Sequence, residues 1–435
     1  MSHFVSREFK SMKKTFLLSI LGIVWAASLF PAQTYPQKRI ISLVKSRDVL
    51  AELKGMNLDL LMEKDDRIYA VAGSEELFEL GVKNIPYRIE SPKLSPPEHR
   101  NYSIQSGVNG EFHSYVELEK DLMAMADAYP DVAKVEDIGD SLEGRNIYAL
   151  KISDNVWAEE NEAAVIFLGC HHAREWISLE VPFLLGKYLV ENYGADPEVK
   201  RLVDSSEIWI IPLVNPDGLE YSIYFYRYWR KNRRDNGDGT FGVDLNRNYG
   251  YEWGYDNSGS SPDPASEIYR GPAPFSEPEV QAVRDFFGQR KFQALISYHS
   301  FAQVILYPWG YKAAPSDQNA LLARIAERMS DLMEPVNGRY YDPERSGASF
   351  YLTNGDTTDW SFGVYGIPSY TIELPPNSEL TGEFFNAESD IQPIFEENLP
   401  AMIYLIDWSI NKFESVGGAI MKSSRHGRER SLKIK

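Results

Sequence analysis

An unbroken apolar run, Ala164-Val165-Ile166-Phe167-Leu168, leads into Gly169-Cys170-His171-His172-Ala173-Arg174-Glu175-Trp176, and a helical pattern follows from Ile177 to Tyr193, stopped by Gly194. A short run that is apolar at every position reads as a strand buried on both faces, the kind found in parallel sheets covered by helices. A His and a Glu three residues apart, in the loop leaving such a strand, can aim an imidazole nitrogen and a carboxylate oxygen at one point. Zinc takes those donor types, and a catalytic zinc site adds a third protein ligand and an open position. His171 and His172 are both placed to give the first imidazole, and spacing does not choose between them. Taken alone, the cluster also fits a polar loop with a satisfied histidine, so the rest of the chain has to decide.

The same strand-helix alternation continues on both sides. Ile147 to Ile152, Ile208 to Val214, Phe292 to Tyr298 and Ser369 to Glu373 read as strands; Glu277 to Gln289, Gln318 to Met333 and Leu399 to Phe413 read as helices. Tyr115, Leu118, Leu122, Met125 and Tyr129 recur at helical spacing on one face. This pattern predicts an α/β fold with a mixed, mostly parallel twisted sheet and helices on both faces. In such sheets ligands bind beyond the carboxyl ends of the strands. Three candidate strands end in chemistry-bearing residues there: His171-His172 with Glu175, His299-Ser300, and Glu373.

Upstream, residues 36–92 form a separate pattern. Arg39 to Val44, Arg67 to Val71 and Tyr87 to Ile89 read as strands, with helices from Arg47 to Gly55 and from Ser74 to Leu80, which predicts a small ferredoxin-like α/β unit. A Pro-rich linker spans 93–104 and the large domain 105–415. Lys13-Lys14, the apolar run from Phe16 to Phe30 and Pro31-Ala32-Gln33 have the layout of a secretory signal over 1–33, with Met12 as its natural start. The expected location is therefore secreted or periplasmic, and a small unit with an exposed linker in an exported chain reads as a removable pro-segment. An uncleaved anchor is the lesser alternative, and no later run reaches spanning length. Residues 416–435, with Lys422, Arg425, Arg428, Arg430, Lys433 and Lys435 against Glu429 among the last fifteen, are expected to be a disordered, irregular basic tail.

The formal net charge of −18 over 435 residues argues against nucleic acid or an anionic membrane as partner. Cys170 is the only cysteine, so no intrachain disulfide can form, and its position at a strand end reads as a small buried hydrophobe. Asp235-Asn236-Gly237-Asp238-Gly239 resembles part of a calcium loop but lacks the closing bidentate glutamate, so a turn is the preferred reading and calcium stays an unsupported second cofactor. In this acidic chain, Tyr226 to Arg234 is dense in cations, and Gly242 to Asn248 adds another arginine. Guanidinium forks match carboxylates and hold oxyanions. Metal, base and arginines together describe hydrolysis of an acyl bond beside a free carboxylate.

His172-Ala173-Arg174-Glu175-Trp176, Trp229-Arg230-Lys231, Asp244-Leu245-Asn246-Arg247-Asn248, Ser297-Tyr298-His299-Ser300 and Thr371-Ile372-Glu373-Leu374 together resemble the ordered signatures of the zinc metallocarboxypeptidases, the carboxypeptidase A/B family. The likeness runs from about Phe112 to Phe413, and within the family is strongest toward bacterial carboxypeptidase T. The resemblance implies one zinc per chain held by His172, Glu175 and His299, with Glu373 as general base and Arg230 on the carbonyl and its oxyanion. It further implies Asn246 and Arg247 as the clamp on the substrate carboxylate, Tyr351 as a closing tyrosine, and Arg174 and Arg227 as secondary carboxylate guides. Asp356 and Thr358, with Thr353 and Gly310 nearby, fall in the side-chain pocket, where Thr358 is neither the acid of basic-specific members nor the aliphatic of apolar-specific ones. The expected substrates are therefore peptide or protein C-termini ending in hydrophobic or basic residues, taken by a monomer. Phe301 replaces a family tyrosine, and the family disulfide is missing. The alternatives are a cell-wall peptide hydrolase on the same fold and a non-catalytic zinc-binding relative.

Overall fold

A computed structural model describes residues 39–89, 109–375 and 384–431, apart from single positions 54, 55, 57, 65, 159 and 350. The expected signal segment at 1–33 and the expected linker at 93–104 lie outside the described residues. The small unit runs β1 (Arg39–Val44), α1 (Arg47–Leu53), β2 (Asp59–Lys64), β3 (Arg67–Ala72), α2 (Ser74–Val82) and β4 (Tyr87–Ile89). Its strands pair antiparallel in the order β2-β3-β1-β4, the βαββαβ arrangement of ferredoxin-like units. Alternation along β3 sends Ile68, Ala70 and Ala72 into a core with Ile41 and Leu43 and leaves Tyr69 and Val71 for the opposite face. Those two join an aromatic cluster of the large unit, with Tyr226, Tyr228, Phe301 and Phe384.

The large unit opens with α3 (Tyr115–Ala128), started by a capping box in which the Glu117 carboxylate accepts the Ser114 N–H at 2.9 Å. Strands β5 (Ala133–Asp140), β6 (Asn146–Ile152) and β7 (Ala163–Leu168) follow, then α4 (Ile177–Asn192), α5 (Pro197–Val203), β8 (Ser206–Ile211) and α6 (Pro216–Tyr224). A long irregular stretch contains one 3₁₀ turn, Leu245–Arg247, before α7 (Pro278–Gly288), β9 (Phe292–Ser300), β10 (Val304–Tyr307) and α8 (Asn319–Asn337). The chain finishes with β11 (Asp342–Arg345), α9 (Ser346–Ser349), α10 (Thr357–Tyr365), β12 (Ser369–Leu374) and α11 (Ile391–Ser431). The tail expected to be irregular is therefore helical through Ser431. Among the described residues no helix is long and apolar enough to cross a membrane.

Eight strands pair in the order β11-β10-β12-β9-β7-β8-β6-β5. The central β12-β9-β7-β8 run is parallel and the β5, β6 and β10 joins are antiparallel, the mixed sheet that the alternation predicts. β7 is buried at all six positions: Val165 and Phe167 face a core shared with α4, α8 and α11, and Ala164, Ile166 and Leu168 face one shared with α7 and α10. Fully burying side chains of that size stabilises by about 1.5–3 kcal/mol each. Two packed faces make the sheet centre rigid, and the carboxyl ends of β7, β9 and β12 open on the same side.

Candidate active site

Gly169 ends β7 because nothing larger fits: a Cβ there would lie 2.2 Å from the Ser178 carbonyl oxygen. The chain can then turn sharply into α4, carrying His172 and Glu175 over the sheet end. Cys170 is fully buried and its thiol is pushed up by burial, as a packing residue should be. Asn215, beyond β8, braces the loop by donating its amide to the His171 carbonyl oxygen at 3.0 Å. From β9, His299 arrives level with Glu373 of β12, its direct partner in the parallel ladder.

His172 Nδ1 lies 2.8 Å from Glu175 Oε1, His299 Nδ1 3.0 Å from Glu175 Oε2, and the two imidazole nitrogens 3.1 Å from each other. Nitrogen and oxygen ligands about 2.0–2.1 Å from zinc at tetrahedral angles stand about 3.3 Å apart, so the donor set fits one shared ion. All three side chains are buried and among the described residues they form a group able to hold a metal. Burial opposes ionisation of Glu175, but the charges and hydrogen bonds of His172 and His299 hold its carboxyl well below the usual range.

The two neighbouring histidines differ in their contacts, and His172 but not His171 belongs to the group able to hold a metal. His171 is fully buried, and its ring nitrogens meet the Tyr249 hydroxyl at 2.9 Å, Thr357 Oγ1 at 3.1 Å and Ser297 Oγ at 3.4 Å. Its ring stacks on that of His299 with centroids 5.5 Å apart. It supports a ligand from behind and points no donor at the shared point.

Asp244 is the residue that sequence reasoning missed as part of the site. Its Oδ1 takes His172 Nε2 at 3.1 Å and the Asn246 N–H at 2.9 Å; its Oδ2 takes Arg230 Nε at 3.1 Å and Nη2 at 2.9 Å. One buried carboxylate thus fixes a metal-facing ring and an arginine together. With Nδ1 facing the ligand cluster, His172 carries its proton on Nε2, the arrangement such outer carboxylates enforce. Burial works against the Asp244 charge, yet Arg230, His172 and Arg247 depress its carboxyl far below normal.

His172, Arg174, Glu175, Arg230, Tyr351 and Glu373 line one pocket, closed on a further side by Ser300, Phe301 and Phe384. Glu373 is not one of the three grouped donors, and burial followed by the Glu175 charge raises its carboxyl to about 8. Arg230 Nη1 stands 3.8 Å from Glu175 Oε1. Arg247 is buried, donates Nη1 to the Asn246 carbonyl at 2.8 Å, and lies with its Cζ 5.8 Å from the Tyr351 ring centre. Its Nε has no partner among the described residues, a cost that an incoming carboxylate would remove. The Asn246 side-chain oxygen accepts from Thr357 N at 2.9 Å and Thr357 Oγ1 at 2.8 Å, which fixes the amide's direction.

Arg227 is the outlier. Its guanidinium sits 3.4 Å from the Trp176 ring centre and 4.3 Å from that of Phe385, and donates to the Arg174 and Phe384 carbonyls at 2.6 and 3.1 Å. It is outside the lining of that pocket, as are Asn246, Arg247, Asp356 and Thr358, and it ties together the loops carrying Arg174 and Phe384. Asp356 caps α10 while accepting Thr358 Oγ1 at 2.8 Å and Thr353 Oγ1 at 2.6 Å. Gly310 faces it, where a Cβ would lie 2.1 Å from Thr353 Oγ1 and 3.0 Å from Asp356 Oδ2. The Asp235–Gly239 loop spends its carboxylates on its own turn, Asp235 on the Gly237 N–H and Asp238 on the Thr240 N–H, both at 2.8 Å.

Residues 118–401 match the Peptidase_M14 zinc carboxypeptidase family. A zinc carboxypeptidase of Saccharothrix mutabilis subsp. capreolus is 34% identical over 73% of this chain and 73% of its own length. Carboxypeptidase B of Astacus astacus is 34% identical over 66% of this chain and 93% of its own. Among solved structures, carboxypeptidase A from Helicoverpa armigera superposes with a TM-score of 0.75 at 25% identity, covering 87% of this chain and 98% of that one. Bovine thrombin-activatable fibrinolysis inhibitor, solved with tick carboxypeptidase inhibitor, gives a TM-score of 0.63 at 30% identity over 70% and 99% of the two chains.

Proposed function

This chain belongs to the zinc carboxypeptidase family, a metallocarboxypeptidase hydrolase acting on peptides, and from that premise we propose that it releases single hydrophobic or basic residues from peptide and protein C-termini, as a secreted or periplasmic monomer. The observation that carries the reading is the convergence of three side chains, each with a donor atom 2.8–3.1 Å from one of each of the other two, beside a carboxyl that is not one of them.

His172, Glu175 and His299 would hold the zinc, which when bound would supply Lewis acidity for a carbonyl and bring the pKa of water toward about 7. The chain's own groups do the rest. Glu373 takes the proton of the attacking water and returns it to the leaving amine, a role worth about 10²–10⁴ in rate. Arg230, held in orientation by Asp244 at 2.9 and 3.1 Å, offers fixed positive charge to the developing oxyanion, a term of about 3–4 kcal/mol. Arg247 and Asn246 receive the terminal carboxylate, Arg174 adds charge beside them, and Tyr351 covers the residue being removed. Asp356 gives the side-chain pocket a carboxylate for Lys or Arg, while the Thr353 and Thr358 hydroxyls at 2.6 and 2.8 Å keep that carboxylate solvated when an apolar residue enters.

Two further proposals concern the N-terminal fifth. Residues 1–33 direct export, on the layout of charge and apolar run already described. Residues 36–92 act as an inhibitory pro-segment, supported by the cluster of Val71 and Tyr69 with Phe301 and Phe384, two residues that also line the pocket. The test is release of Leu, Phe, Lys and D-Ala from otherwise identical peptides, by full-length and linker-cleaved protein, with and without a chelator. Chelator-sensitive release of Leu, Phe and Lys, faster after cleavage, supports the reading. Preferential release of D-Ala points to cell-wall peptides, and equal activity before and after cleavage removes the pro-segment proposal.

A further inference from the structure

A second cavity, of about 640 Å³, lies between α3, α4 and the start of α11, and it shares no lining residue with the catalytic pocket. Its volume is in the range of ligand sites. Met125, Phe183, Leu184 and Ile391 give it an apolar floor. Ala124 and Ala128, one turn apart on α3 and both exposed, keep one wall low. The polar lining is strongly one-sided: Glu111, Asp121, Glu180, Glu191 and Glu388 face Lys187 as the only permanent cation.

Partners inside the cavity account for some of these acids. Glu180 takes the His113 backbone N–H at 2.7 Å and its Nδ1 at 2.8 Å, and Asp121 stands 3.4 Å from His113 Nε2. Lys187 reaches Glu191 at 4.0 Å. Glu111 and Glu388 make no ion pair among the described residues. An apolar floor under a rim that stays net acidic, with Glu111 and Glu388 unpaired among the described residues, favours an occupant with apolar and cationic groups side by side. It repels anionic lipid and nucleic acid.

We propose that this cavity is a non-catalytic docking groove for a short amphipathic peptide segment bearing Lys or Arg. Apolar side chains settle on Met125, Phe183 and Leu184 while ammonium or guanidinium groups meet the carboxylate rim, so charge complementarity sets partner choice and on-rate. The groove stands apart from the catalytic reading, since none of its residues touches the ligand cluster or Glu373.

The test uses full-chain protein and a fluorescein-labelled Leu-Lys-Leu-Lys-Leu-Lys peptide with an amidated end. The amide removes the carboxylate that the catalytic clamp would hold, so this experiment can fail without touching the catalytic reading. Anisotropy is compared with the Leu-Gln-Leu-Gln-Leu-Gln amide, and across the Glu191→Lys/Glu388→Lys double variant and Ala128→Trp. The expected result is binding of the lysine peptide at least about tenfold tighter than the glutamine peptide, weakened about tenfold or more in each variant, with cleavage of a short Leu-ended substrate unchanged. Ala128→Trp fills the groove without altering charge, so it separates docking from diffuse attraction to an acidic protein. No binding, equal binding of the two peptides, or undiminished binding to folded Ala128→Trp would overturn the proposal.

Discussion

Replacing Asp244 by asparagine exchanges one oxygen for an NH₂ group and leaves volume almost unchanged. The carboxylate now serves four donors, His172 Nε2 and Asn246 N on one oxygen and two nitrogens of Arg230 on the other. An amide has a single acceptor oxygen. If it stays with His172 and Asn246, its NH₂ faces the Arg230 guanidinium, two charge-assisted bonds are lost, and a buried cation loses the nearer of the carboxylates that face it, with Glu175 at 3.8 Å remaining. Breaking a buried pair this way costs about 3–5 kcal/mol; Arg230 borders the pocket, so the lower figure is expected. His172 also loses a negatively charged partner, and outer carboxylates of this kind are worth about 10–100-fold in metal affinity. Asp244→Asn should therefore bind zinc about 10–100-fold more weakly in a chelator competition and unfold at lower temperature. Unchanged zinc affinity together with unchanged unfolding temperature would refute the role given to this carboxylate.

Glu373→Gln should lower kcat by about 10²–10⁴ while zinc content stays at one per chain; loss of the metal would mean that Glu373 is a ligand. Asp356→Asn should lower the ratio of Lys to Leu turnover at least about tenfold, and an unchanged ratio would remove Asp356 from the specificity pocket. Glu279, raised to about 8 by burial and then the Glu277 charge, keeps its proton in the folded chain while the unfolded chain loses it near its ordinary pKa. It therefore costs stability as pH rises from about 4.5 to about 8, and Glu279→Gln should flatten that part of the stability curve; an equal slope in both proteins would contradict it.

The sheet centre was legible because β7, β8, β9 and β12 are buried on both faces, so their apolar runs carry no competing pattern. The edges were harder to read. β11, Asp342-Pro343-Glu344-Arg345, has neither alternation nor β-branched residues and is a strand only because β10 offers it a parallel partner. β2 hides its alternation in a Leu-Leu-Met run between charged residues. The metal ligands stood out as polar residues at ends of apolar strands, but Asp244 lies in an irregular stretch where no periodicity marks a buried acid. Its signal is positional, an acid between the apolar Val243 and Leu245 and just after a cationic run. Arg227 shows the reverse: its motif position implies a substrate contact, whereas the Trp176 and Phe385 rings enclose it. Charge alone marks the tail at 416–435, and charge says nothing of a helix that begins twenty-five residues earlier at Ile391 and continues to Ser431.

The most direct test is anomalous diffraction at the zinc absorption edge from crystals of protein purified with zinc. A single strong peak is expected about 2.0–2.1 Å from both His172 Nδ1 and His299 Nδ1 and in bonding range of the Glu175 carboxylate. A peak held by other side chains, or none at this point in an enzyme that still trims C-termini, would contradict the claim that these three residues form the catalytic metal centre.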